Sequence, residues 1–346
     1  MLIGFTSCQA QVVSPCRQQP APKKASPGII GLSFSRDGKT LVSAGADGNI
    51  KIWNAATGIV QRTLSGHTNA LYKAIFSPDE KLLASSSRDT TVRIWDAASG
   101  RELYKLSGHR CSIKKVEFSP DGKMLGSVSN DATLKLWDVA TGKELKSLVH
   151  AKTADADVSV YSVVFSRDGK SVLAGNGDGT ISEWEVATGR ETRVWKAHGD
   201  GVFHLIFSSD YRLLVSSGYG DYTTKIWDTA TRREIRPLMD KKTEGLTEQV
   251  VAVAFTPNGQ LIAASEVGFD EKLQDYAYSR VSLWNAATGE KLFSLQDSKL
   301  PMNAVIFTPD NRFVVTGSND GNIIFWDVKT GKQTRTITNT LVSKDE

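Results

Sequence analysis

Residues 66–96 read GHTNALYKAIFSPDEKLLASSSRDTTVRIWD, and weaker copies of this stretch fill most of a 346-residue chain. Seven Trp occupy one position of the unit: Trp53, Trp95, Trp137, Trp184, Trp227, Trp284 and Trp326. Each is followed by Asp, Asn or Glu. Seven Phe mark an earlier position: Phe34, Phe76, Phe118, Phe165, Phe207, Phe255 and Phe307. Self-similarity at a fixed period means a repeat architecture, and it outranks any local motif.

The unit has a physical reading. Leu71, Ala74 and Phe76 make an apolar segment that stops at the turn formers Ser77-Pro78-Asp79. Residues 82–86 make a second short strand, ended by Arg88-Asp89-Thr90. Val92, Ile94 and Trp95 make a third, rich in β-formers. Ser99-Gly100 turns the chain, and Leu103 and Leu106 mark a fourth strand before Gly108-His109 restarts the unit. No helical period runs through it. The expectation is all-β, with four short antiparallel strands per repeat.

At these residues the chain resembles the WD40 family: a Gly-His pair, then Ser-x-x-x-Asp, then Trp-Asp. Seven copies resemble a seven-bladed WD40 β-propeller. The resemblance covers residues 29–338, leaving tails at 1–28 and 339–346. It implies a scaffold that binds protein or peptide and is not an enzyme. Two alternatives stay open: a propeller enzyme with a site at the mouth of the central channel, and an envelope-anchored sensor or scaffold.

Composition narrows the classes. No apolar run approaches the ~18 residues of a transmembrane helix. Net charge is +4, but residues 1–28 hold Arg17, Lys23 and Lys24 and no acid, which leaves +1 for the repeats. That does not argue for nucleic acid, which needs a basic stripe. Three Cys, two of them in the first tail, make no disulfide framework. Phe5-Thr6-Ser7-Cys8 resembles the end of a bacterial lipoprotein signal, with Cys8 as the lipidated residue; Phe5 departs from that pattern and the apolar region is short. It would imply a bacterial-type member of the family. The other reading is a plain tail and a cytoplasmic protein. No cofactor or metal is expected, and the chain reads as a monomer.

Several residue sets imitate chemistry. His67, Ser85, Asp89 and Trp95 invite a Ser–His–Asp reading. The set recurs as His109, Ser127, Asp131 and Trp137, which a catalytic site has no reason to do. The resemblance makes both sets structural, a hydrogen-bond chain from His through Ser and Asp to the Trp ring N–H. Blade 4 has Ala174 where Ser is expected, and blade 6 has Ala264 there with no aligned His or Asp. Asn176-Gly-Asp178-Gly-Thr180 has calcium-loop spacing but reads as a tight turn. Trp195 reads as core. His204 is the one His away from the repeat position, and it reads as structural.

Length carries the functional signal. Phe to the following Trp is 19 residues in five blades, 20 in blade 5 and 29 in blade 6. Trp to the next Phe is 23 in four cases and 28 on entering blades 4 and 6. Alternating strand direction puts all four insertions on one face, that of the b–c and d–a connections. Insertions confined to one face often mark the binding side. Across 149–159, 239–249 and 266–279 stand nine acids (Asp155, Asp157, Asp240, Glu244, Glu248, Glu266, Asp270, Glu271, Asp275) and four lysines (Lys152, Lys241, Lys242, Lys272). Phe269, Tyr276 and Tyr278 are interleaved, and Tyr219 and Tyr222 lie nearby in blade 5. Arg88, Arg110 and Lys114 stand across the ring. Aromatics ringed by charge suit a protein interface, so these residues are the candidate partner site and the expected partner is basic.

Overall fold

The computed structural model describes residues 28–150, 159–238, 247–270, 272–273, 275–296 and 300–339. Within them, 28 strands form seven antiparallel sheets of four. We label the strands of each blade a to d in chain order. In blade 2 these are Leu71–Phe76, Leu82–Ser87, Thr91–Asp96 and Glu102–Ser107.

Local chemistry makes each turn. At the a–b turn Ser77 Oγ donates to Asp79 Oδ1 at 2.7 Å and accepts from Leu82 N at 3.0 Å. The position after Asp79 is left-handed, with φ +61° at Glu80, and Gly38 and Gly122 take the same place in blades 1 and 3. At the c–d turn the residue after each Trp is Asp, Asn or Glu, and in blade 2 it acts as a cap: Asp96 Oδ1 accepts from Ser99 N at 2.7 Å. Gly100 then turns the chain at φ +77°, which Gly adopts without a Cβ penalty. This gives the acid of the Trp-Asp pair a role that the sequence leaves open.

Apolar burial is organised between blades. Each of seven core clusters joins two neighbouring blades. Trp95 of blade 2, for instance, lies with Val42, Ile52 and Leu64 of blade 1. A single blade has no core of its own, so the ring must close to bury its last face. It closes with the C-terminal strand, Gln333–Thr338, paired to Asn322–Asp327 with Ile337 opposite Ile323. Ile337 then packs with Ile29, Leu41 and Trp53 of blade 1, and Arg335 Nη1 donates to Ala55 O at 2.7 Å. Gln11 to Val13, a stretch of β-formers that could also have filled this slot, lies outside the described residues, as does Cys8.

Blade 6 departs from the others. Its strands a, b and c are Thr247–Phe255, Leu261–Asp270 and Asp275–Asn285, of 9, 10 and 11 residues against five or six elsewhere. The ten-residue insertion read as a b–c connection is therefore mostly strand. Val267, Phe269, Tyr276 and Tyr278 are β-formers in alternation, so they continue the ladder, with Phe269 opposite Tyr276. The end of the preceding insertion joins the same ladder, with Glu248 opposite Gly268. Two insertions thus build one three-stranded projection.

Candidate functional site: the b–c and d–a face

The b–c turns and d–a loops meet on one side of the ring. Arg88 N donates to Ala70 O at 2.9 Å, Gly177 N to Ser159 O at 2.8 Å and Tyr219 N to Gly201 O at 2.8 Å. The centres of two insertions, 151–158 and 239–246, lie outside the described residues, and with them Lys152, Asp155, Asp157, Asp240, Lys241, Lys242 and Glu244. So does Glu271.

Side-chain chains hold these loops. Asp89 Oδ2 lies 2.7 Å from His67 Nδ1, His67 Nε2 lies 2.8 Å from Ser85 Oγ, and Trp95 Nε1 donates to Ser85 Oγ at 2.9 Å. Asp131, His109, Ser127 and Trp137 repeat the series at 3.0, 2.8 and 2.8 Å. Asp221, His198, Ser216 and Trp227 form a third. The order differs from the expected one: Asp ends the chain and His joins it to Ser, so Asp never stands between Ser and Trp. The reason is topological. His comes from the d–a loop and reaches inward to strand b, while Asp sits in the b–c turn above it and also caps Thr68 N at 3.0 Å. Burial alone would raise the Asp89, Asp131 and Asp221 carboxyls, but the His bonds and charges outweigh it and hold all three well below the usual carboxylate range.

The incomplete blades compensate unequally. In blade 4 His150 Nδ1 lies 2.9 Å from Ser182 Oγ on strand c, which replaces the serine lost at Ala174. In blade 6 Trp284 Nε1 is buried with no acceptor among the described residues. Asn176 Nδ2 donates to Ser182 Oγ at 2.8 Å, Asp178 Oδ1 accepts from Thr180 N at 2.9 Å, and Asp178 Oδ2 lies 3.5 Å from His150 Nε2. No group of three or more His, Cys, Asp or Glu among the described residues is placed to hold a metal.

The projection of blade 6 carries an apolar tip. Phe269 and Tyr276 meet edge to face at 5.6 Å. Leu273, at the turn between them, is 75% exposed. Its acids are partly engaged. Arg280 Nε donates to Glu266 Oε2 at 2.6 Å, and Arg280 lies one residue beyond the stretch whose charge the sequence reading counted. Asp270 Oδ1 accepts from Lys272 N and Leu273 N. Beside it, Tyr219 stacks on Phe203 at 4.8 Å and Phe203 on Tyr161 at 4.3 Å. Tyr222 sits at φ +56° in the b–c turn of blade 5.

The central channel holds a cavity of about 900 Å³ that is lined from both faces, by Pro78, Pro120 and Tyr211 at the a–b turns and by Arg88 and Tyr219 at the b–c turns. Tyr72, Arg88, Lys114, Tyr161, Phe203, Tyr219 and Tyr276 are among its lining residues. Lys114 Nζ lies 3.1 Å from Tyr72 OH and 4.5 Å from the centre of that ring. Lys73, Lys115, Glu117 and His204 also line the channel.

Comparison with known proteins fits this architecture. A family model described as the IFT122 first beta-propeller matches residues 28–267, and one described as WD domain, G-beta repeat matches residues 289–327. The chain belongs to the IFT122 first-propeller family, within the WD40 propellers. A curated relative, the Arabidopsis thaliana protein described as "Cell division cycle 20.1, cofactor of APC complex", is 34% identical over 59 residues. That match covers 16% of this chain and 13% of the relative. WD40 propellers are in general protein-interaction scaffolds.

On this WD40 propeller the candidate residues fall into two groups. Phe269, Asp270, Tyr276 and Tyr278 lie together on the blade 6 projection, and Tyr219 reaches the channel from blade 5. Arg88 lines the channel from blade 2, while Arg110 is exposed in the d–a loop, its backbone N bonded to Asp131 Oδ2 at 2.8 Å. The reading along the chain missed Leu273, Tyr161, Phe203 and the channel bases Lys73 and Lys115. An alignment of the repeats at their Phe would have found the last, since Lys73, Lys115 and His204 all stand three residues before it.

Proposed function

We propose that this WD40 propeller is a protein- or peptide-binding scaffold whose working surface is a crescent over blades 5 and 6 on the b–c and d–a face. The observation that carries the reading is the blade 6 projection: two insertions spent on extending one sheet outward, with Phe269, Leu273 and Tyr276 at its end. A rigid strand ladder holds apolar anchors without the ordering cost a free loop would bring. The partner is a polypeptide with an apolar anchor flanked by basic residues, since acids outnumber lysines in the insertions. The propeller acts as a monomer and performs no reaction of its own. Fold alone does not fix function, so the test is a site test. Leu273→Ser, and Phe269→Ala with Tyr276→Ala, should each abolish partner capture while the folded ring survives. Arg167→Ala, in an exposed a–b turn of the other face, should leave capture intact.

A further inference from the structure

The channel wall is uneven at one level. Three residues before each repeated Phe stand Gly31, Lys73, Lys115, Ser162, His204, Ala252 and Ala304, in blade order. All but Ser162 line the cavity of about 900 Å³. The long bases therefore lie in blades 2 and 3, and the small Ala252 and Ala304 in blades 6 and 7, on the other side of the channel, while Gly31 lies against the Lys73 backbone. One side of the channel carries charge and the other carries space.

The charges do not cancel. Glu117 is the one acid lining this cavity among the described residues, and no ion pair within 4 Å joins it to Lys73 or Lys115. Lys115 Nζ is held by Leu205 O at 2.9 Å and Ser162 Oγ at 3.3 Å. Lys73 Nζ has no acceptor among the described residues. His204, bonded to the Val251 backbone, is kept neutral by burial and by the two lysines, its pKa pushed down to about 3. Arg88 and Lys114 at the mouth add positive charge on the way in.

We propose that the channel is an anion site, in which Lys73 and Lys115 take a carboxylate or phosphate group that occupies the space left by Ala252 and Ala304. Burial pushes Lys115 down to about 8; the Glu117 charge opposes that shift and the Lys73 charge adds to it. The group arrives either as a free small anion or as an acidic side chain of a polypeptide. The proposal goes beyond the partner crescent and stands without it, because it uses none of the blade 6 tip residues.

The test is calorimetric titration of the full chain with inorganic phosphate, glutarate and N-acetyl-glutamate methylamide at fixed ionic strength. At least one should bind at a single site. Lys73→Met and Lys115→Met should each weaken that binding at least about tenfold, as loss of a charged hydrogen-bond partner does. Lys81→Met, on the outer a–b turn, should leave it unchanged. Tighter binding of the glutamate amide would assign the anion to a polypeptide side chain, and tighter binding of phosphate or glutarate to a free anion. Thermal unfolding of each variant shows whether it is folded. No binding by any of the three, or equal binding by the folded Lys73→Met and Lys115→Met variants, overturns the proposal.

Discussion

Tyr278 donates its hydroxyl hydrogen to the Glu248 carboxylate, and this bond ties together two insertions 30 residues apart in the chain. The Arg280 guanidinium lies 4.6 Å from the Tyr278 ring centre and also pairs with Glu266. Burial first, and then the bond to Glu248, raise the Tyr278 hydroxyl above its ordinary range. The projection is therefore braced from its side and stands as part of the sheet.

That brace predicts a local effect. Tyr278→Phe removes the Tyr278 donor from the buried Glu248 carboxylate, which should cost about 1–3 kcal/mol. Hydrogen exchange should show faster opening at 248–250 and 266–270, with little change in blades 2 and 3. Unchanged exchange there would mean that backbone pairing alone holds the projection.

The hydrogen-bond chains predict opposite effects in two blades. His67→Ala removes one partner each from Ser85 and Asp89 and should lower stability by about 1–3 kcal/mol. Ala264→Ser gives the orphaned Trp284 N–H an acceptor, as Ser43 does for Trp53 in blade 1 at 2.9 Å. It should raise stability by about 0.5–1.5 kcal/mol. Denaturant midpoints check both, and a loss from Ala264→Ser would show that blade 6 packs against a methyl there.

Acid should unfold the ring through the same chains. The Asp89, Asp131 and Asp221 carboxyls are depressed in the folded state, so they contribute stability above their unfolded pKa of about 3.9, and it is lost as pH falls below that value. Asp131→Asn should flatten the acid limb of a stability–pH curve as well as lower its plateau. An acid limb of unchanged slope would place the acid sensitivity elsewhere.

Salt should separate steering from anchoring at the crescent. Exposed charge speeds encounter and is screened within about 10 Å at 0.1 M salt. Raising salt should slow partner association and leave dissociation nearly constant, while Phe269→Ala should chiefly speed dissociation, since buried anchors dominate an interface. Surface plasmon resonance separates the two rates. A salt effect confined to dissociation would contradict the expected basic partner.

The ring was legible because its period is written in the residues that fill the blade junctions, Trp95 and its six equivalents. Membership of the His67 and His109 chains was legible too, but their internal order was not. It depends on the height of the His67 loop above strand b, which spacing does not encode. The blade 6 insertion carried its own signal in the alternation of Val267, Phe269, Tyr276 and Tyr278, which a reading by length alone passes over. Lys73, Lys115, Glu117 and His204 converge only once the ring has closed. Arg36, exposed in its turn, donates to Pro78 O of the next blade at 2.7 Å, so Arg167 is the better neutral control on that face.

The most direct test of the scaffold reading is hydrogen–deuterium exchange on the propeller alone and with its captured partner. The account predicts protection confined to residues 219–223 and 265–280, and loss of that protection in Leu273→Ser. Protection confined to the opposite a–b and c–d turns, such as 77–81 and 96–100, with none on the blade 6 projection, would contradict it.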